Sequence, residues 1–236
     1  MTSAPFPLPM VVLGAPLVAF LLVALTPLRR KGAAAAFVVI ALSTASFMAS
    51  ILLFLNQLDA PESIQRWTTT WMPTAGVSLA EIGWHIDGTS APMLVVVGLV
   101  ALCVQLYSVG YLQHEPSASI GRYYAWQALF VFSMQSLVLA PNLLQLFMGW
   151  ELVGLCSYLL IGFWWRRPAA ARASVKAFWV TKTADAGLLL GLILLYSSTQ
   201  GFGWAPDGLS TFQLNAITLL LLLGVMGKSA QVPLHI

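Results

Sequence analysis

The chain has 236 residues, of which 59% are hydrophobic and only 8% charged. A soluble domain carries about a quarter charged residues, so this composition excludes a water-soluble globular protein and points to a chain that crosses a membrane several times. The net charge of +3 is no sign of nucleic-acid binding, because most basic side chains sit in short connections between apolar runs, where they act as topology signals.

A helix needs about 20 mostly apolar residues to cross a hydrocarbon layer of ~30 Å. Stretches that meet or approach this length run over residues 6–28, 33–55, 91–112, 122–140, 143–165, 173–196 and 214–236. They predict an all-α membrane protein, a polytopic bundle of about seven transmembrane helices forming a single transmembrane domain over residues 1–236. The start, Met1-Thr2-Ser3-Ala4-Pro5, lacks the basic region of a signal peptide, so the first apolar run is expected to stay as the first helix. Cys103 and Cys156 lie inside spans and read as small apolar packing residues.

The long polar connection, residues 56–90, contains Trp67-Thr68-Thr69-Thr70-Trp71 and Val77-Ser78-Leu79, with Pro73 and Gly76 between them. Its β-branched and aromatic content predicts a small hairpin lying on the outer membrane surface. Arg29, Arg30, Lys31, Arg122, Arg166, Arg167, Arg172 and Lys176 fall on one side of the predicted spans, with Arg66 opposite. By the positive-inside rule, the N-terminus and the 56–90 loop are expected outside. Trp67, Trp84, Trp164, Trp165 and Trp204 fall near span ends, as interfacial anchors do.

Against this apolar background a few deep charges stand out. Glu151 lies in the fifth span, about nine residues past Pro141-Asn142 and hence ~13 Å deep. A charge there costs from ~2.5 kcal/mol on insertion scales to more than ~10 in simulations, so it is a functional-site candidate by default. Lys228 lies ~20 Å into the seventh span, at a comparable level. Lys182 and Asp185 are three residues apart on the sixth and so share a helix face, which predicts an intrahelical ion pair. Burial and a neighbouring carboxylate act in opposite senses on a lysine's proton, so small movements can shift the balance, as a proton relay requires. A purely structural pair holding helices in register is the competing reading, strongest for Lys182 with Asp185.

Pro233 removes a backbone hydrogen bond and predicts a break in the seventh helix. With Gly224 and Gly227 around Lys228, it points to a broken helix at an ion site. Ser229 and Gln231 are candidates for holding water there. Gln105, Gln127 and Gln135 are expected to hydrogen-bond between helices, and Gly154, Ser157 and Gly162 to permit close helix packing. His85 and His114 fall in loops and are expected to be solvated. No Gly-rich phosphate loop, cysteine ligand cluster or nucleophile triad appears, so nucleotide, iron-sulfur and hydrolytic chemistry lack support.

The run Gly149-Trp150-Glu151-Leu152-Val153-Gly154-Leu155-Cys156-Ser157-Tyr158-Leu159-Leu160-Ile161-Gly162-Phe163-Trp164 resembles the signature of the antiporter-like subunit L, or chain 5, of complex I and of its photosynthetic relatives. The segments from Lys176-Ala177-Phe178 to Asp185, Gly227-Lys228-Ser229-Ala230-Gln231-Val232-Pro233-Leu234, and Asp87-Gly88-Thr89-Ser90 agree as well. The resemblance implies a membrane subunit of a proton-pumping NADH:quinone oxidoreductase, with the proton-translocating module beginning within residues 122–236. It also implies that Glu151 and Lys228 form the ion pair of a proton channel, supported by Lys182 and Asp185. Lys182 stands where the family often has arginine.

No cofactor is expected in this chain; NADH, FMN, iron-sulfur clusters and quinone are implied in partner subunits. The expected partners are other complex I membrane subunits, the lipid bilayer and a C-terminal part of the family fold. The chain stops inside an apolar span and is expected to be only the N-terminal part of such a subunit, inactive in transport by itself. A bacterial inner membrane, or an equivalent energy-transducing membrane, is the implied location. Alternatives are a subunit of a multisubunit cation/proton antiporter, a membrane-bound hydrogenase or an inorganic-carbon uptake complex, and, in another class, a structural scaffold that moves no ions.

Overall fold

Each long apolar run becomes a helix, and most of the helix starts have a visible chemical reason. The computed structural model describes residues 7–74, 77–204 and 208–235. Along the chain come α1 (Pro7–Leu25), a 3-10 turn at Pro27–Arg30, α2 (Gly32–Asp59), β1 (Gln65–Thr74), β2 (Val77–Ile86), α3 (Ser90–Tyr111), α4 (Ser117–Val138), α5 (Leu143–Ile161), α6 (Pro168–Thr199) and α7 (Thr211–Lys228). Proline opens α1 and α6, at a position where its missing N–H has no intrahelical partner to lose. Asn142 caps α5 through the Gln145 N–H, and Ser210 with Gln213 forms a capping box at α7. At α3 the Asp87 carboxylate accepts from the N–H groups of Thr89 (3.0 Å) and Ser90 (2.7 Å). These bonds explain the Asp87-Gly88-Thr89-Ser90 motif.

Among the described residues, six of the seven helices are long and apolar enough to cross a membrane by length and composition. The seventh, α4, also has 22 residues but is more polar. It packs against α1, α2 and α3, and an enclosed helix does not need an apolar outer face. The predicted hairpin is present as β1 paired with β2. Its expected turn residue Gly76 and the N-terminal residues Met1 to Pro5 lie outside the described residues.

The seventh helix ends at Lys228, five positions before Pro233. Ala230 takes the left-handed conformation (φ 52°), and the N–H of Gln231 bonds to the carbonyl of Met226 at 3.0 Å, which closes the helix with a Schellman-type cap. Proline disfavours helical geometry in the residue before it and clashes with the carbonyl four residues back, here that of Ser229, so the helix terminates upstream of it.

The chain divides into two compact units. The first comprises residues 1–67 and 84–139, the second residues 68–83 and 140–236. In the first, Ala19, Val23, Ala35, Ala36, Val39, Tyr124, Ala125 and Ala128 form one core cluster, where small side chains let α1, α2 and α4 approach closely. A second cluster gathers Val12, Ala49, Leu53, Ile86, Leu94 and Leu139 with Trp84. Trp84 is therefore a core residue, stacked on Trp67 at 4.5 Å, and not an interfacial anchor. The buried glutamines divide. Gln135 donates to Ser46 Oγ (2.8 Å) between α4 and α2 as predicted, but Gln127 bonds Tyr123 within its own helix, and among the described residues the Gln105 amide has no hydrogen-bond partner. His85 keeps 23% of its side chain exposed while standing 3.5 Å from Asp87, and His114 is exposed.

In the second unit, α6 packs along both α5 and α7. Gly187 faces Leu223, Gly191 faces Leu220 and Ile217, Gly224 faces Leu188, and Gly227 faces Ala184. Gly224 and Gly227 thus make a close helix seam; they do not loosen the helix. The hairpin is tied to α5 by side chains standing in for a third strand. Gln145 bonds both the N–H and the carbonyl of Gly83 at 2.9 Å, and Asn142 donates to the Glu81 carbonyl at 2.9 Å.

Candidate functional site

All four deep ionisable residues belong to the second unit. Glu151 is near the middle of α5, and Gly154 lies one turn on. Phe178, Lys182 and Asp185 follow at intervals of four and three on α6, which places them on one face. Lys228 is the last residue of α7, where the negative end of the helix dipole favours a cation.

The structure brings the four together, but not in the pairs the resemblance implies. Glu151 makes its ion pair with Lys182 across α5 and α6, and not with Lys228. Lys182 Nζ is also 3.7 Å from Asp185 Oδ2, the predicted intrahelical neighbour. Among the described residues, Lys228 has no ion pair. Its ammonium group instead donates to the backbone carbonyl of Trp150 and lies 4.5 Å from the centre of the Trp150 ring. The reason is rotational: rise along a helix fixes depth, but which neighbour a residue meets depends on how the helices are turned about their axes.

Trp150 is the residue that sequence reasoning missed. Its carbonyl and ring face hold Lys228, while its indole N–H donates to Asp185 Oδ1 at 2.6 Å. One residue therefore links the cation of α7 to the anion of α6. The available signal was an indole in mid-span, where its N–H must find a partner. Asp185 is 1% exposed, so its charge is held by that indole and by Lys182. Phe178 adds a ring face 5.5 Å from Lys182 Nζ.

Gly154 gives the site its room. A methyl group there would lie 3.5 Å from Lys228 Nζ and 3.8 Å from Lys182 Nζ. The two ammonium groups are thus no more than about 7 Å apart, and at an effective dielectric of ~20 they repel by roughly 2 kcal/mol or more. Glu151 and Asp185 set two carboxylates beside the two lysines. A cavity of about 220 Å³ adjoins Lys228, lined in part by Gly154, Ser157, Tyr158, Phe178 and Thr181. It has room and polar partners for several water molecules. Gly162, by contrast, packs against Ser174. Pro233 is exposed, five residues beyond Lys228, and of the residues after Pro233 only Leu234 lines the cavity.

Outside the spans, the Asp87 carboxyl is held below the ordinary carboxylate range. Burial opposes this, but hydrogen bonds from Ser90 and Thr89 and the nearby His85 outweigh it.

Residues 140–236 match the family model described as NADH:quinone oxidoreductase/Mrp antiporter, TM, and residues 71–124 match NADH-Ubiquinone oxidoreductase (complex I), chain 5 N-terminus. The chain is 43% identical over 211 residues to the chloroplastic NAD(P)H-quinone oxidoreductase subunit 5 of Mesostigma viride, an alignment covering 85% of this chain and 32% of that protein. It is 42% identical over 213 residues to NAD(P)H-quinone oxidoreductase chain 5 of Synechocystis sp., covering 86% and 30%. Its fold matches a subunit in the structure of the Mrp complex from Dietzia sp. with a TM-score of 0.76 and 26% identity, over 95% of this chain and 24% of that one. The chain spans about a third of the length of the curated relatives it matches.

Proposed function

We propose that this chain, which belongs to the chain 5 (subunit L) family of antiporter-like membrane subunits, carries part of a proton path in a multisubunit NADH:quinone oxidoreductase. The observation that carries the reading is the meeting of Glu151, Lys182, Asp185 and Lys228 from three helices around Trp150 and Gly154. Such a cluster is expensive to bury in a membrane and is balanced in charge, so moving one proton unbalances it.

Glu151 is the movable anion in this scheme. While it neutralises Lys182, Lys228 keeps its proton through the Trp150 carbonyl and ring. When a proton reaches Glu151, the ion pair is lost, the Lys182 ammonium is no longer neutralised and repels Lys228 more strongly, and Lys228 gives its proton to water in the adjoining cavity.

The chain contributes proton carriers and no redox chemistry; NADH, FMN, iron-sulfur clusters and quinone belong to partner subunits. It works with other membrane subunits and the remaining length of the family fold, in an energy-transducing membrane such as the bacterial inner membrane, with its N-terminus outside. The likeness to the Mrp complex supports a second reading, a cation/proton antiporter subunit.

The test is Glu151→Gln and Lys228→Ala in the native complex, measuring proton uptake per electron in inverted vesicles. Both variants should lower the ratio while electron transfer continues or slows with it. An unchanged ratio in both sinks the proposal and leaves a structural scaffold. NADH-independent sodium/proton exchange that both variants abolish supports the antiporter reading.

A further inference from the structure

A different feature lies in the first unit, away from the four deep charges. Where α1 ends and α4 begins, a cleft of about 410 Å³ opens between them. Such a volume falls within the ~300–1,000 Å³ typical of small-molecule sites. Arg29, Arg30 and Arg122 line its basic end, or mouth. Its wall is apolar, with Phe20 and Ala24 from α1 and Trp126 from α4.

The basic mouth is held in place by backbone contact. Gly121 of α4 lies against the Arg29 carbonyl so closely that a methyl group there would be 2.1 Å from the oxygen. The turn carrying Arg29 and Arg30 is therefore seated directly on α4, one residue from Arg122. The Arg122 guanidinium stands 5.1 Å from the centre of the Trp126 ring, which joins the charged mouth to the apolar wall.

We infer that this cleft binds an anionic phospholipid, its phosphate held by Arg29, Arg30 and Arg122 and an acyl chain lying along Phe20, Ala24 and Trp126. Charge complementarity selects the headgroup. Planar guanidinium forks match phosphate oxygens, and three of them gathered at one mouth concentrate positive potential there. The amphiphilic wall selects a lipid over a free anion, because inorganic phosphate would leave the apolar side of the cleft wetted. The position at the ends of two helices is where a headgroup lies when its chains extend into the hydrocarbon layer.

The test is native mass spectrometry of the full chain in detergent, titrated with phosphatidylglycerol against phosphatidylcholine. Phosphatidylglycerol should bind in preference. Each surface cation contributes about fivefold to the affinity for anionic lipid, so Arg29→Gln with Arg122→Gln should weaken binding roughly 30-fold. Ala118→Glu provides a check free of folding doubts, since Ala118 is an exposed first-turn residue lining the cleft and an acid there favours the helix. It should weaken binding about fivefold, while Arg172→Gln, the same charge change elsewhere, should leave binding intact. The inference is overturned if phosphatidylglycerol shows no preference, if Arg172→Gln weakens binding as much, or if Ala118→Glu has no effect. Displacement of the lipid by inorganic phosphate at similar concentration overturns it too, as a free-anion site.

Discussion

Gly227→Ala tests whether the α6–α7 seam sets the position of Lys228. A methyl group at 227 would be 2.2 Å from the Ala184 Cβ and 3.6 Å from the Val180 carbonyl oxygen. Carbon atoms rest at ~3.5–4.0 Å, so the helices must part locally by about 1.5 Å. Both clashing atoms are Cβ atoms fixed to helix backbones, and no rotamer change relieves them. Overpacking of this kind costs about 3 kcal/mol, offset by ~1 kcal/mol of helix propensity, for a net loss near 2 kcal/mol. Lys228 is the next residue and should be drawn from the Trp150 carbonyl, lowering proton uptake in the native complex. Ala184→Gly alone should cost ~1 kcal/mol or slightly more. The double variant should return close to the parent in both stability and uptake, a coupling of at least ~2 kcal/mol by equilibrium unfolding in mixed micelles. Additive losses, or a Gly227→Ala protein as stable as the parent, would show that the seam is not the constraint described.

Gly154→Ala should separate stability from function. Its methyl group would meet Lys228 Nζ at 3.5 Å, Lys182 Nζ at 3.8 Å and Lys228 Cε at 3.9 Å, all ordinary contacts. The helix gains up to ~1 kcal/mol while the space between the ammonium groups dries. Thermal melts should rise and proton uptake fall; unchanged uptake would remove Gly154 from the path. Trp150→Phe takes away the 2.6 Å bond to a carboxylate that is 1% exposed, and hydrogen bonds to charged groups contribute ~1.5–3 kcal/mol. Unfolding measurements should show a loss of that order, and no loss would mean Asp185 is held by Lys182 alone. Asp87 supplies a pH prediction. Its folded-state proton affinity is depressed, so its charge stabilises the α3 start above the unfolded pKa of ~3.9, and this is lost as pH falls through the folded value. The parent should exceed Asp87→Asn in stability at neutral pH and converge with it as pH falls below the folded-state value; a pH-independent difference would contradict the assignment.

The helices were legible because transmembrane length and apolarity are properties of contiguous residues, and the hairpin because Trp67 to Trp71 carries strand-forming residues in a polar connection. What the sequence hid were contacts between distant segments. Trp84 looks like an anchor by its place beside a span, yet its ring is buried in the first unit's core against Trp67. Gly224 and Gly227 look like helix breakers, yet their lost side chains accommodate Leu188 and Ala184. The Asp87 carboxylate beside His85 is likewise a contact that position in a loop does not reveal.

The candidate site shows where that limit falls. Counting residues at ~1.5 Å each puts Glu151 and Lys228 at similar depths, and the side chains do converge, with Lys228 on the carbonyl of the residue before Glu151. Depth, however, is one coordinate of two. The second, rotation about the helix axis, decides that Glu151 faces Lys182 and that the backbone and ring of Trp150 face Lys228. A carbonyl is a neutral acceptor, and every residue has one, so no composition or spacing rule singles it out. The proposed mechanism rests on this difference. A lysine held by a carboxylate is neutralised and costly to separate, whereas Lys228 is held by a neutral carbonyl and a ring face at the negative end of α7. In the proposed proton path it is therefore the group of the four that exchanges a proton when the Glu151–Lys182 pair changes.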